Sequence, residues 1–125
     1  MQLVSGTEDG GEVEVDGVKV MAREVPPAPV HEIRNMADVL RQKLGSGVVV
    51  LGSREGEKVT IVTAVTANLT DQIHAGRLAS SVAAMVGGGG GGRPDFAQAG
   101  GKEPDKLPMA LDEVSRFVRQ QLESG

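Results

Sequence analysis

The sequence predicts an α/β (α+β) fold. It is a single compact domain in which two β-hairpins form a mixed sheet packed by about three helices, in the order ββαββαα. Three observations lead there. Valine-rich runs flank Asp16-Gly17 and the short polar link Arg54-Glu55-Gly56-Glu57, as strands flank tight turns. Three other segments repeat apolar residues at helical spacing. The length, 125 residues, suits one hydrophobic core.

Each element follows from its residues. Residues 1–11 are polar and glycine-containing and read as a flexible lead-in to a globular part spanning 12–125. Val13, Val15, Val18 and Val20 surround Asp16-Gly17, a pair that accepts the positive φ of a type I′ turn. The second strand runs toward Val25, where Pro26, Pro27 and Pro29 stop it because proline cannot donate to a sheet ladder. Ile33, Met36, Ala37, Leu40 and Leu44 form one stripe of a helix over 31–44, closed by Gly45. His31 starts this helix, and Arg34 and Arg41 fall on a solvated face beside Asp38. Val48 to Leu51 and Val59 to Val65 are runs rich in β-branched residues, expected of strands covered on both faces. Thr70 or Asp71 is placed to cap the next helix, whose core face is Leu78, Val82, Met85 and Val86, and Gly87 to Gly92 end it. Leu107, Leu111, Val114, Val118 and Leu122 stripe a last helix that begins near Pro108.

Composition excludes several function classes. With no cysteine there is neither a disulfide framework nor a thiolate metal site, and His31 and His74 alone cannot complete a zinc set. No apolar run approaches the roughly 18 residues of a membrane span, and the first residues do not resemble a signal peptide. The expectation is an intracellular, cytoplasmic domain. The formal net charge of −4 argues against a simple basic nucleic-acid binder. That acidity sits before residue 31, where Glu8, Asp9, Glu12, Glu14, Asp16 and Glu24 face only Lys19 and Arg23, and the remainder is balanced. There is no Trp or Tyr, and the aromatics are Phe96 and Phe117. Modules that stack bases on several aromatic rings, such as an RRM or a typical OB fold, therefore fit poorly, and any RNA would be held through backbone, phosphate or shape.

The informative feature is the run Gly87 to Gly92. A flexible linker is one reading. The other is a loop whose bare amides close on an anion or a sugar-phosphate backbone. A Walker A loop is excluded because Arg93-Pro94 follows the glycines, and a dinucleotide fingerprint because the run follows a helix rather than a strand. The continuation Arg93-Pro94-Asp95-Phe96-Ala97-Gln98-Ala99-Gly100-Gly101 is unlike a linker, with Phe96 suited to pin the loop to the core. Arg93 suits either a phosphate or a salt bridge with Asp95. His74 and Arg77 either extend a polar surface beside the loop or form an ordinary solvated face.

GGGGGGRPDFAQAGG, residues 87–101, closely resembles the signature of the C-terminal, DHH-associated domain of alanyl-tRNA synthetase. VDGVKVMAREV, LRQKLGSGVVVLGS, VTANLTDQIHAGRLA and LPMALDEVSRFV follow the same pattern in order, from about Val13 to Leu122. The related DHH phosphoesterases carry a histidine directly after their glycines, where this chain has Arg93. That departure favours the synthetase branch. A substrate-binding domain of a DHH-type phosphodiesterase, or of a free-standing editing hydrolase, is the alternative.

The resemblance implies an excised globular tRNA-binding part, not an enzyme on its own. Its partners would be the tRNA for alanine, touched at its outer corner, and the other domains of the parent ligase. The isolated part is expected to be a monomer without cofactors, and ATP, magnesium and zinc would belong to the parent. The implied RNA-contacting residues are Gly87, Gly88, Gly89, Gly90, Gly91, Gly92, Arg93, Gln98, Gly100 and Gly101, flanked by His74, Arg77 and Lys102. Valine at Gly89 and Gly90 is expected to weaken tRNA binding while sparing the fold. A third possibility is an interaction module whose glycine loop packs on a partner protein.

Overall fold

The structure, a computed structural model, describes residues 12–124, so the expected lead-in 1–11 lies outside the described residues. β1 (Glu12–Val15) and β2 (Val18–Glu24) pair antiparallel around Asp16 and Gly17, whose φ values are 49° and 86°. Both angles are those of the expected turn. After β2 the Val25 amide donates to Gly52 O at 2.8 Å, and the prolines lead into α1 (Val30–Leu44). Gly45 ends this helix at φ 75°, its N–H shared between the Arg41 and Gln42 carbonyls.

β3 (Gly47–Glu55) returns parallel to β2, and β4 (Lys58–Val65) pairs antiparallel with β3. Val48 to Leu51 are all fully buried, because α1 covers one sheet face and later helices cover the other. A 3-10 turn, Ala67–Leu69, precedes α2 (Ala75–Met85). Then come β5 (Gly89–Gly92) and β6 (Phe96–Gly101), a 3-10 turn at Pro104–Lys106, α3 (Leu107–Asp112) and α4 (Val114–Ser124). The sheet order is β1-β2-β3-β4-β6-β5. One core lies between the sheet and α2 to α4, around Val20, Val50, Ile61, Leu78, Val82 and Leu107. The smaller one lies under α1, where Ile33 and Ala37 meet Val49, Leu51, Val62 and Ala64.

The mixed sheet, the two expected hairpins and the order of the first six strands and α-helices agree with the sequence. Four details differ. The glycines do end a helix, but four of them then form a strand, so a third hairpin widens the sheet to six strands. The helix before them is capped by His74 rather than Thr70 or Asp71, because it starts only at Ala75; Thr70 instead closes the 3-10 turn, its hydroxyl donating to Ala67 O at 2.9 Å. The last helix is broken at Glu113 into α3 and α4, with Leu107, Leu111, Val114 and Val118 all buried. Met36 turns outward from α1, 36% exposed.

Candidate nucleic-acid interface

The glycine hairpin is strapped to α2 at both ends. At the start of α2, the Ala75 and Gly76 amides donate to Pro94 O and Arg93 O at 2.8 and 3.2 Å. The next amide, of Arg77, donates to His74 Nδ1 at 3.2 Å. Amides at a helix N-terminus otherwise lack partners; here the hairpin turn and one imidazole supply them. At the far end of α2 the Gly88 amide donates to Ala83 O at 2.9 Å, and the Lys102 and Glu103 amides both donate to Val86 O. The flexible-linker reading of the run is therefore wrong for the folded chain: these glycines are ordered strand.

The six glycines meet different constraints. Gly87 sits at φ 74°, a conformation that disfavours side chains. For the rest, register decides. The Arg93 amide donates to Phe96 O at 3.0 Å, so by antiparallel alternation Gly91–Gln98 and Gly89–Gly100 are the wide, hydrogen-bonded pairs. Gly90–Ala99 and Gly92–Ala97 are then the narrow pairs. A Cβ on Gly90 would lie 2.5 Å from Ala99 Cα, and one on Gly92 would lie 2.8 Å from Ala97 Cα. A Cβ on Gly88 would run into Gly100 O. Gly89 has nothing within 4 Å of that position, and Gly91 only Gly76 O at 3.9 Å. The fold thus requires glycine at 88, 90 and 92 and leaves room for a side chain at 89 and 91.

Those two open positions share a sheet face. Gly91 pairs with Gln98, which pairs with Val62; Gly89 pairs with Gly100, which pairs with Thr60. Paired residues project to the same side, which here is the α1 side. The α1 helix covers Val62 but does not extend over the hairpin, where Gly89, Gly91 and Gln98 are exposed. The result is a shelf of bare backbone with one amide side chain.

The shelf is bordered by a charged turn. Phe96, half-buried, does pin the loop, packing on the core beneath α1. The Arg34 and Arg41 guanidiniums both lie 5.2 Å from its ring centre. Arg41 is not the solvated residue the sequence suggested. It donates to Asp95 O at 3.0 Å and Val65 O at 3.4 Å and pairs with Asp38. Sequence reasoning missed this Arg–Phe–Arg arrangement. The available signal was the spacing of Arg34 and Arg41, seven residues and so two turns apart on one helix face. Arg93 keeps both of its readings: Nε is 3.5 Å from Asp95 Oδ1, yet the side chain is 76% exposed.

The structure does not gather all the sequence-derived residues in one place. Gly89, Gly91, Gln98, Gly100 and Arg93 belong to the shelf and its border. His74 and Arg77 lie across the sheet with α2, lining a groove of about 450 Å³ with Gln120 and Gln121 of α4. Lys102 stands at the end of β6 among Glu57, Glu103, Asp105 and Lys106. Gly87, Gly88, Gly90, Gly92 and Gly101 are accounted for by the fold, Gly101 by contact with Val86. Valine at Gly90 cannot spare the fold, so the expectation made for Gly89 and Gly90 is corrected to Gly89 and Gly91.

A three-layer α+β domain with an ordered glycine hairpin on its sheet edge is the class defined here. A family model described as the DHHA1 domain matches residues 17–120, and the chain belongs to that family. It is similar to the alanine–tRNA ligase of Desulforamulus reducens, 54% identical over 106 residues, covering 84% of this chain and 12% of that protein. With that of Bacillus subtilis it is 49% identical over 110 residues, covering 87% and 12%. The chain therefore spans about an eighth of the curated relatives' length. A solved structure, the C-Ala domain from Aquifex aeolicus alanyl-tRNA synthetase, superposes with a TM-score of 0.81 at 35% identity, covering 86% of this chain and 97% of that one.

Proposed function

We propose that this chain is the tRNA-binding C-terminal domain of an alanine–tRNA ligase, and that it docks on the outer corner of the tRNA through the glycine shelf. By holding the tRNA there it helps the aminoacylation and editing domains of the parent act on one molecule. The observation that carries the reading is the pair Gly89 and Gly91. The fold leaves space above both, so bare backbone on that face suits a ligand that presses against it. Paired bases at a tRNA corner offer a flat face of that kind, which needs no aromatic partner. Gln98 adds a donor and acceptor beside it, and Arg93 an exposed cation.

The domain acts as a binding module rather than a catalyst, as a cytoplasmic monomer when isolated. ATP, magnesium and zinc belong to the parent's other domains. Among the described residues no three His, Asp or Glu side chains come together as a metal cage, and no helix is long and apolar enough to cross a membrane.

The test is binding of labelled, folded tRNA to the wild type and to the Gly89→Val and Gly91→Val variants, with circular dichroism as the fold control. The expected result is saturable binding weakened at least tenfold by either valine in a folded protein. Equal affinities in folded variants would move the tRNA surface elsewhere. Absence of any binding by the wild type at low salt would favour a protein partner.

A further inference from the structure

We infer that the groove between the first turns of α1 and the Arg93–Asp95 turn is a phosphate site that takes one phosphodiester of the bound RNA beside the glycine shelf. This deepens, and rests on, the tRNA reading above. The groove has a volume of about 320 Å³ and is lined chiefly by His31, Arg34, Asp38, Arg41, Arg93 and Phe96.

Three guanidiniums meet here in a chain whose net charge is −4, and they are not equivalent. Arg41 is spent. Its side chain is 21% exposed, and it serves two carbonyls and Asp38. Asp38 also accepts from Gln42 Nε2 at 2.9 Å. Arg41 therefore holds the turn against α1 and is a positioning residue for Arg93.

Arg34 is exposed, and its one fixed contact is the face of Phe96 at 5.2 Å. It makes no ion pair among the described residues. A guanidinium laid on a ring has lost much of its freedom while its N–H groups stay unspent, which is preorganisation for a planar, two-oxygen anion. Arg93 approaches from the opposite wall with only a long contact to Asp95.

Asp38 pairs with Arg41, and Asp95 lies 3.9 Å from Arg41 Nη1 and 3.5 Å from Arg93 Nε, so two carboxylates offset two of the three guanidiniums and the Arg34 charge is the one left for an anion. Location supplies the last element. Phe96 and Gln98 lie two residues apart on β6, so they face the same side as Gly91. The groove opens onto the shelf, and a nucleic acid seated on the shelf carries a phosphate into it. A free phosphate would find it an open, shallow groove.

The experiment measures tRNA affinity as a function of salt for the 125-residue chain and its Arg34→Gln and Arg34→Lys variants. Inorganic phosphate is the competing probe, and thermal melting is the fold control. Removing one phosphate contact is expected to weaken binding about tenfold at low salt and to lower the slope of log K against log salt by about 0.7 to 0.9. Arg34→Lys is expected to restore the slope and only part of the affinity. Millimolar phosphate is expected not to compete at constant ionic strength.

Wild-type binding that Arg34→Gln leaves unchanged in affinity and slope overturns the phosphate site and leaves the tRNA reading standing. Weakened binding with an unchanged slope assigns Arg34 to packing on Phe96 and equally overturns it. Competition by millimolar phosphate that Arg34→Gln abolishes would place free phosphate and the RNA in one groove and overturn the assignment of the groove to an RNA-borne phosphodiester alone. No salt-dependent binding by the wild type overturns both readings.

Discussion

Alanine placed at Gly90 and at Gly89 separates the two kinds of glycine in the run. Neither glycine has a positive φ, so both variants gain the same term from the unfolded chain, about 0.4–1 kcal/mol. What differs is the space above the Cα. At Gly90 the new Cβ stands 2.5 Å from both Ala99 Cα and Ala99 Cβ, and 2.7 Å from Gln98 O. Ordinary carbon contacts lie near 3.5–4.0 Å, so β5 and β6 must separate by about 1 Å. Neither can easily do so, since β6 is paired with β4 on its other side and the hairpin is bonded to α2 at both ends. Overpacking of this kind costs about 1–3 kcal/mol. At Gly89 there is nothing within 4 Å, and the entropy gain stands alone.

Subtracting the two variants cancels the unfolded-state term and leaves the steric one. Gly90→Ala is therefore expected to be about 1–3 kcal/mol less stable than Gly89→Ala, with Gly89→Ala slightly more stable than the wild type. Urea unfolding followed by far-ultraviolet circular dichroism reads this directly, because the chain has no Trp or Tyr to report fluorescence. With an m value of about 1–3 kcal/mol/M, the two midpoints are expected to differ by about 1 M. Equal midpoints would refute the alternating register and return the run to the linker reading.

Three further outcomes follow from single contacts. Thr66→Val removes the hydroxyl that accepts the Gly47 amide at 3.0 Å in a buried corner; a loss of about 1–3 kcal/mol is expected in the same unfolding assay. His74→Ala strips the cap from the Arg77 amide and is expected to cost about 0.5–2 kcal/mol, read as a lower melting temperature. Arg41→Met leaves Asp95 O without its second donor, Val65 O without the Arg41 hydrogen bond and Asp38 without its cation. It is expected to lower stability by about 1–3 kcal/mol and to speed amide exchange at Val65, whose N–H is bonded to Asp95 O.

The sheet's first four strands and the helix at 30–44 were legible because their side chains carry the period. The β-branched runs read as strands, and Ile33, Ala37, Leu40 and Leu44 read as a stripe. The third hairpin was not legible. Alternation cannot be seen where no side chain alternates, and β6 offers only Phe96, Ala97, Gln98 and Ala99 before two more glycines. The helix start was missed for a different reason. Threonine and aspartate are the usual caps, whereas here an imidazole and the Arg93 and Pro94 carbonyls of a turn far downstream supply the acceptors. Such long-range satisfaction has no local signature. Arg41 was misassigned on the same ground: its partners, Val65 and Asp95, are distant in sequence.

The glycine run looks uniform in sequence because two constraints have been written onto alternate positions of one strand. Steric exclusion by β6 demands glycine at 88, 90 and 92, and a helix exit demands it at 87. Neither acts at 89 or 91. Glycine in a strand costs roughly 0.5–1 kcal/mol relative to alanine, so folding alone leaves stability unused at both open positions. A linker would need flexibility along its whole length and would show no such alternation with register. A surface that must be approached by something flat and rigid needs bare backbone only on the face it presents. The shelf has that pattern, with unspent cations on its border rather than beneath it. The spacing of required and unrequired glycines thus argues for a ligand on the α1 side of the hairpin, independently of any resemblance.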